Sequence, residues 1–437
     1  MILHFKQQRI HIFLVVAALI ALVVLLTAQA PLPPGKRPPD EQQEQIPYAT
    51  LEGFARLPAD TFAAGPPSGF AIAGTYYGRT PPFGSQPVQG VSAILPKWNG
   101  NYLALLDNGY GTKANSGDFI LRWYEIALNF PLKEATVVGF TELRDPDHHI
   151  PWPIMQPEHR VLTGADFDPE SFQQAPDGTF WIGDEFGPYL LHFDGTGKLL
   201  EPPIAVPYPQ SLTVLARGRP FIQAPENADF FNLPTAEARD NAANLGSSRG
   251  LEGLAISLHG DKLYTLFEGA MADDPIQTRL LLQEFSLETK TFTSNYWFYQ
   301  LSHPEHAIGS LTAIDEQEFL VIERGRGQGE EAAFKRVYHI NKEGAFPGAG
   351  LSKDLVLDLM SIADVNAYTL PYENTVGMGP KFSFPFISVE AMYPLNDRTL
   401  LIVNDNNYPF GSGRRPGTPD NTEFIKVGLS RTLGLRR

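Results

Sequence analysis

The sequence contains no cysteine, which excludes disulfides, thiolate zinc sites, iron–sulfur clusters, a cysteine nucleophile and a lipid-modified amino-terminal cysteine. Any metal must therefore be held by oxygen or imidazole. Basic residues are also scarce: 34 Lys and Arg stand against 49 Asp and Glu, giving a formal charge of −15. Nucleic acid is excluded as an expected partner, because phosphate backbones are bound by an excess of Lys and Arg. Cations are the expected partners instead. Charged residues make up only 19% and hydrophobic ones 43%, with 39 Gly and 38 Pro, a globular and turn-rich composition that is neither disordered nor coiled-coil and leans all-β. A chain of 437 residues is compatible with two or three average domains or with one large repeat-built domain.

The amino terminus reads as an address. Lys6 and Arg9 precede an apolar run from Ile12 to Ala28, after which prolines and polar residues begin. Basic residues ahead of such a run keep that end cytoplasmic and export the rest of the chain. Ala28-Gln29-Ala30 has the small-x-small form of a cleavage site, but Pro31 comes immediately after it. The run also exceeds a usual signal core, which favours an uncleaved membrane helix over a cleaved signal peptide. Both readings place the remainder outside the cytoplasm, periplasmic or secreted. The expected organisation is a signal anchor or signal peptide over 1–30, a stiff Pro-rich linker over 31–46, and one domain over 47–437.

Internal repeats dominate that domain. Five segments share one grammar, an apolar strand, a turn, and a second strand ending in an acidic or amide residue: VSAILP with NYLALLDNGYG, GADFDPESF with TFWIGDEFGP, SRGLEGLAIS with KLYTLFEG, GSLTAID with EFLVIERGRG, and ISVEAMYPL with RTLLIVNDNN. Asn99-Gly100, Asp177-Gly178, Gly260-Asp261 and Asn396-Asp397 supply hairpin turns. Third strands come next, such as ILRWYEIAL and EFIKVGL. Repeats of three or four antiparallel strands predict an all-β propeller, here of six blades, with five or seven also compatible. ATLEGFARL at 49–57 has no hairpin partner and the last repeat ends after its third strand, so the two are expected to complete one blade and close the ring. Residues 225–247 interrupt the pattern with a short helix capped by Thr235.

In a hairpin the start of the first strand and the end of the second lie at the same end of the sheet. The acidic residues occupy those positions: Asp168 and Glu170 with Asp184 and Glu185, Glu252 with Glu268, and Glu390 with Asp405, while Asp107 and Glu323 occupy the second position alone. Around a ring they would converge at one mouth, where like charges demand raised pKa values, basic partners or bound cations. An oxygen-only ligand set points to Ca2+, with Mg2+ as the alternative. The expected metal ligands are Asp168, Glu170, Asp184, Glu185, Glu268, Glu323 and Asp405. Glu252, Glu390, Arg249 and Arg324 are the expected catalytic groups, and Arg326, Tyr189, Asn406 and Tyr408 the substrate-binding ones. The plain alternative for each carboxylate is a solvated turn cap, though turn-capping predicts acids at the hairpin tips and these lie at the opposite end.

Other signals point elsewhere. Gly246-Ser247-Ser248-Arg249-Gly250 fits a nucleophile-elbow pattern with Ser248 as nucleophile, but an elbow needs a strand before it and a helix after it, and here a strand comes after. His148, His149 and His159 lie in a Pro-rich loop without metal-ligand spacing. Trp181 and Tyr264 fall in alternating strands and are expected to pack between blades.

The strings DFDPESF, WIGDEFGP, GLEGLAIS, VIERG and SVEAMYPLNDRTLLIVNDNN resemble, in order and content over about residues 48–430, the motifs of the phytase-like family, also called esterase-like activity of phytase. The resemblance implies a propeller and a hydrolase acting on phosphoric or carboxylic esters. Asp168-Pro169-Glu170 is similar to an acidic segment of the β-propeller phytases, which use Ca2+ in an acidic channel mouth to bind phosphates and activate water. Their Asn-Asn-x-Asp-x-Arg segment is not evident. Three functions are compatible with these residues: a metal-assisted ester hydrolase acting on small anionic, chiefly phosphoric, esters; a membrane-tethered propeller that binds a ligand without catalysis; and a serine carboxylesterase using Ser248.

Overall fold

The computed structural model describes residues 45–435. The expected membrane helix at 12–28 lies outside the described residues. Among the described residues no helix is long and apolar enough to cross a membrane, and the one α-helix there, Ala236–Ala242, has its first turn capped by the Thr235 hydroxyl, which accepts from the Ala238 amide at 3.1 Å.

Five four-stranded antiparallel units succeed one another along the chain, three as separate sheets and the first and last joined edge to edge by a single parallel pair, Arg56 with Glu134. The first four are meanders of strands consecutive in sequence, as the hairpin turns dictate. Sheet one comprises Val91–Pro96, Tyr102–Leu106, Arg122–Asn129 and Glu134–Glu142. Sheet two comprises Pro169–Gln174, Phe180–Asp184, Tyr189–Phe193 and Ile204–Ala205; sheet three Leu251–Ile256, Lys262–Phe267, Arg279–Ser286 and Thr291–Gln300. Sheet four comprises Ala307–Ala313, Glu318–Arg324, Lys335–Asn341 and Ser352–Asp358. Sheet five takes Ser388–Asn396, Thr399–Asp405 and Thr422–Leu429 from the end of the chain, and its outer strand, Ala49–Leu57, from the beginning.

The first strands of the five sheets touch in sequence, one to two, two to three, three to four, four to five and five back to one. They form a closed ring with the later strands radiating outward. Alternation then fills the gaps, because successive residues of a strand face opposite neighbours. Ile182 packs towards sheet one with Trp123, Phe172 and Phe180. Trp181 packs the other way, with Leu254 and Phe285 of sheet three. Phe319 and Val321 join Tyr264 of sheet three, and Leu320 and Ile322 join Val389 and Ile402 of sheet five. Leu401 and Val403 close the circuit against Ile94 and Tyr124 of sheet one. Trp181 and Tyr264 are thus packing aromatics, stacked on His192 at 4.1 Å and edge-on to Phe319 at 4.9 Å.

The ring has five sheets, not six. Closure by residues 49–57 is as expected, but that strand completes sheet five and adds no further sheet. The remaining material before residue 91 and after residue 358 forms only two-residue strands, Phe62–Ala63 with Gln86–Pro87 and Ile362–Ala363 with Lys381–Phe382.

Candidate functional site

Each first strand carries a register shift at the same place. Val91 pairs Leu106 and Ala93 pairs Leu105, leaving Ser92 as the extra residue. The equivalent residues are Glu170 between Pro169 and Ser171, Glu252 between Leu251 and Gly253, Gly309 between Ile308 and Ser310, and Glu390 between Val389 and Ala391. A bulge re-aims the side chain of its extra residue, and here it turns three glutamates inward. Oxygens of Glu170, Glu252 and Glu390 lie within 4.8 Å of one another. Glu170 and Glu252 also line a cavity of about 20 Å³, bounded by first-strand residues of all five sheets, Ser92, Leu311 and Met392 among them. That is room for about one water.

One step towards the mouth, a second ring is fixed by the next backbone pairs. The amides of Asp107, Glu185 and Glu268 donate to the carbonyls of Gly90, Asp168 and Gly250, each at 2.9 Å, while Arg324 pairs Ala307 and Asp405 pairs Ser388. The second ring is therefore Asp107, Glu185, Glu268, Arg324 and Asp405. Asp168 reaches in beside it, and oxygens of Asp168, Glu170 and Glu185 form another group within 4.8 Å.

Burial makes this crowd of acids unusual. Asp168, Glu170, Glu185, Glu252, Glu268, Glu390 and Asp405 are each less than 9% exposed. Loss of water and then the Asp168 charge push Asp107 and Glu170 well above the carboxylate range. Glu185 rises for the same two reasons, and Asp405 through burial and the Asp107 charge. Burial and the Glu390 charge raise Glu252. Asp168 is pushed only to about 6, since burial is opposed by hydrogen bonds from Glu170, from the Asn108 amide at 3.0 Å and from the Asn108 side chain. Arg324 is the cation inside: its Nη2 lies 3.0 Å from Glu268, 3.1 Å from Glu390 and 3.7 Å from Glu252. Burial works against its charge, but those carboxylates outweigh it and hold its pKa above the usual value. Arg249 meets Glu268 at 3.0 Å with a quarter of its side chain exposed. The Glu252 oxygen Oε1 is buried and has no hydrogen-bond partner among the described residues.

Asp168 and Arg249 border the rings, and six other expected site residues stand outside them. Asp184 precedes Glu185 on its strand and so faces away, its two oxygens accepting from the Asp168 amide at 2.8 Å and the Gly187 amide at 2.7 Å. Glu323 faces away from Arg324 for the same reason, into hydrogen bonds with Tyr299, Ser302, His306 and Lys353. Asn406 ties loops together, accepting from Gly90 and donating to the Asp420 carbonyl. Tyr408 is buried against Phe62 and Phe83 with its hydroxyl on Asp60. Tyr189 stacks on Trp152, and Arg326 is exposed. Ser248 adopts φ +52°, an elbow-like conformation, but is exposed, and among the described residues no histidine bonds to it.

Two lysines near the rings carry no sequence signal. Lys113 donates to the carbonyls of Ala165 at 2.9 Å and Asp166 at 3.0 Å, and burial lowers its pKa. Lys335 donates to the carbonyls of Gly325 and Ile387, and burial, with help from Arg324, lowers it to about 7. Lys113 lies in a polar loop and Lys335 at the start of a third strand, and only the fold brings them near the acids.

A curated relative, an "Uncharacterized secreted protein" of Arthroderma benhamiae, is 26% identical over 186 residues, which is 38% of this chain and 36% of that protein. Among solved structures, an unknown-function protein from Dyadobacter fermentans aligns at 11% identity with a TM-score of 0.39, over 88% of this chain and 100% of that one. The calcium-binding protein regucalcin of Agrobacterium tumefaciens aligns at 12% with a TM-score of 0.35, over 80% and 95%. The family profile described as phytase-like, esterase-like activity of phytase, matches residues 86–408, and the chain belongs to that family.

Proposed function

We propose that the chain is an extracytoplasmic, metal-assisted ester hydrolase, with small phosphoric esters as its favoured substrates and Ca2+, or alternatively Mg2+, as its cofactor. The family description speaks for ester hydrolysis. Export is supported by the amino-terminal address and by the relative's being named a secreted protein; residues 12–28 would serve as the anchor.

One observation carries the reading: of five equivalent bulges around one axis, three turn buried glutamates onto it. The donor set fits a hard cation. Calcium takes oxygens at 2.3–2.6 Å, so two ligands of one ion lie at most about 5 Å apart, and both oxygen groups fall within 4.8 Å. Such a cation would neutralise the carboxylates, polarise a phosphoryl or carbonyl oxygen and lower the pKa of a water.

The chain's own groups have separable tasks. Asp168, Glu170 and Glu185 would hold the cation, with Asp107 and Asp405 as further oxygen donors beside them. Glu252, whose Oε1 has no donor, is placed to accept a proton. Arg324 is fixed by Glu268 and Glu390 and steadies charge at the centre. Arg249 contacts Glu268 through one nitrogen and keeps a quarter of its side chain exposed, so it can meet an anionic ester oxygen.

The test is hydrolysis by the full chain of a panel of phosphomonoesters and carboxylic esters, with and without a chelator, beside the double variant E252Q/E390Q. Turnover of phosphomonoesters that chelation and the double variant both abolish is the expected result. A second reading, a calcium-dependent binding propeller without catalysis, is favoured by the small axial cavity of about 20 Å³. No hydrolysis of either ester class by the folded chain with Ca2+ present would select it.

A further inference from the structure

We infer that Arg324 is a built-in cation occupying one of two adjoining cation seats, so that the chain takes up a single exchangeable divalent cation, held by Asp168, Glu170 and Glu185. The inference rests on the cation part of the hydrolase reading and specifies which carboxylates serve it.

Two oxygen groups share Glu170. One is Asp168, Glu170 and Glu185; the other is Glu170, Glu252 and Glu390. They differ in what compensates them. Nη2 of Arg324 lies 3.1 Å from Glu390 and 3.7 Å from Glu252, and it also meets Glu268 at 3.0 Å, where Arg249 brings a second guanidinium. The axial group thus already has a resident positive charge. Sheet four explains its presence, for it is the one sheet with neither ring position acidic: Gly309 takes the first ring and Arg324 the second.

No such partner reaches the other group. Among the described residues no lysine or arginine pairs with Asp168, Glu170 or Glu185 at ion-pair distance. Lys113, whose field does reach Asp168, is held on the carbonyls of Ala165 and Asp166. Among the described residues Asp168 accepts from Asn108 and from Glu170. The Glu185 side chain, 6% exposed, has no hydrogen bond at all among the described residues. A carboxylate so withdrawn from water with neither donor nor cation beside it is costly, unlike the Glu252 oxygen that faces Arg324 at 3.7 Å, and it contributes an oxygen to the group where a cation would offset that cost.

Removing Arg324 should convert the axial group into a second seat, because Glu252 Oε1 is already without a donor and the cavity beside it holds about one small guest. Equilibrium dialysis of the full chain with radioactive Ca2+, without substrate, counts the ions directly. The expected counts are one per chain for the native sequence, one for E252Q, none for E185Q at concentrations that saturate the native chain, and two for R324M. Zero or two ions on the native chain would overturn the inference. So would loss of the ion in E252Q with retention in E185Q, or one ion on R324M shown folded by circular dichroism. If R324M does not fold, the E185Q and E252Q pair still decides between the two groups. A chain that binds one ion at the stated residues but hydrolyses nothing leaves this inference standing and removes the hydrolase reading alone.

Discussion

At the scale of single residues, the boundary between site and scaffold is one position wide. Asp184 and Glu185 are adjacent, yet only Glu185 joins the rings, while Asp184 spends both oxygens on backbone amides. Glu323 and Arg324 repeat the pattern. The sequence shows that acids gather at these strand ends; it does not show which of two neighbours faces the axis, because a bulge in the partner strand shifts the frame and leaves no residue signature. Two substitutions separate the roles. E185Q should abolish metal-dependent turnover with the melting temperature retained, whereas E323Q should cost about 3–5 kcal/mol of stability by breaking the ion pair of this buried carboxylate with Lys353, measurable by urea unfolding. Glu323 also predicts a pH dependence. Burial opposes its ionisation, but His306, Lys353 and Tyr299 overcome that and hold its pKa down from 4.5 to about 2. The unfolded chain therefore takes up the proton first. The contribution, about 3 kcal/mol at 1.36 kcal/mol per pKa unit, is complete above pH 4.5 and disappears as pH falls towards 2. Acid unfolding of E323Q should lack that component; an unchanged acid limb in E323Q would count against this account of Glu323.

At the scale of elements, the bulged first strand is the working part. Its hairpins were legible, since Asn-Gly and Asp-Gly turns and alternating apolar residues specify them locally. The bulges were not, because their cause is the close approach of neighbouring sheets. Gly309 shows this: a Cβ there would lie 2.1 Å from the Val389 carbonyl oxygen on the next sheet. Gly250 is similar, with a Cβ meeting the Glu185 carbonyl oxygen at 2.4 Å. Backbone on both sides cannot yield cheaply, so G309A should destabilise by about 1–3 kcal/mol, the usual cost of overpacking. G250A should in addition displace Glu185 and weaken Ca2+ binding, read by calorimetry as a rise in Kd, whereas G309A, next to the compensated group, should leave Kd within a few-fold of native.

For the whole molecule, closure is the decisive feature. The strand Ala49–Leu57 could be assigned to the last sheet from the sequence, as it had no partner of its own and the last repeat lacked a fourth strand. The number of sheets could not, since loops before residue 91 and after residue 358 contain apolar residues that pack in the gaps without building a sheet. Eight pairs join Ala49–Leu57 to Thr422–Leu429, and Leu51, Ala55 and Leu57 are buried. A chain beginning at residue 58 should therefore lose its cooperative thermal transition, while one beginning at residue 46 should keep it; equal melting curves would contradict closure by this strand.

Acids distant in sequence are held to form one cation seat on the ring's axis, and on that seat the proposed chemistry depends. Crystals of the full chain soaked with a lanthanide of calcium-like size would locate it by anomalous scattering. The predicted map has its strongest peak among the Asp168, Glu170 and Glu185 oxygens. A map with no peak inside the rings, or with its strongest peak on the outer surface, would contradict it.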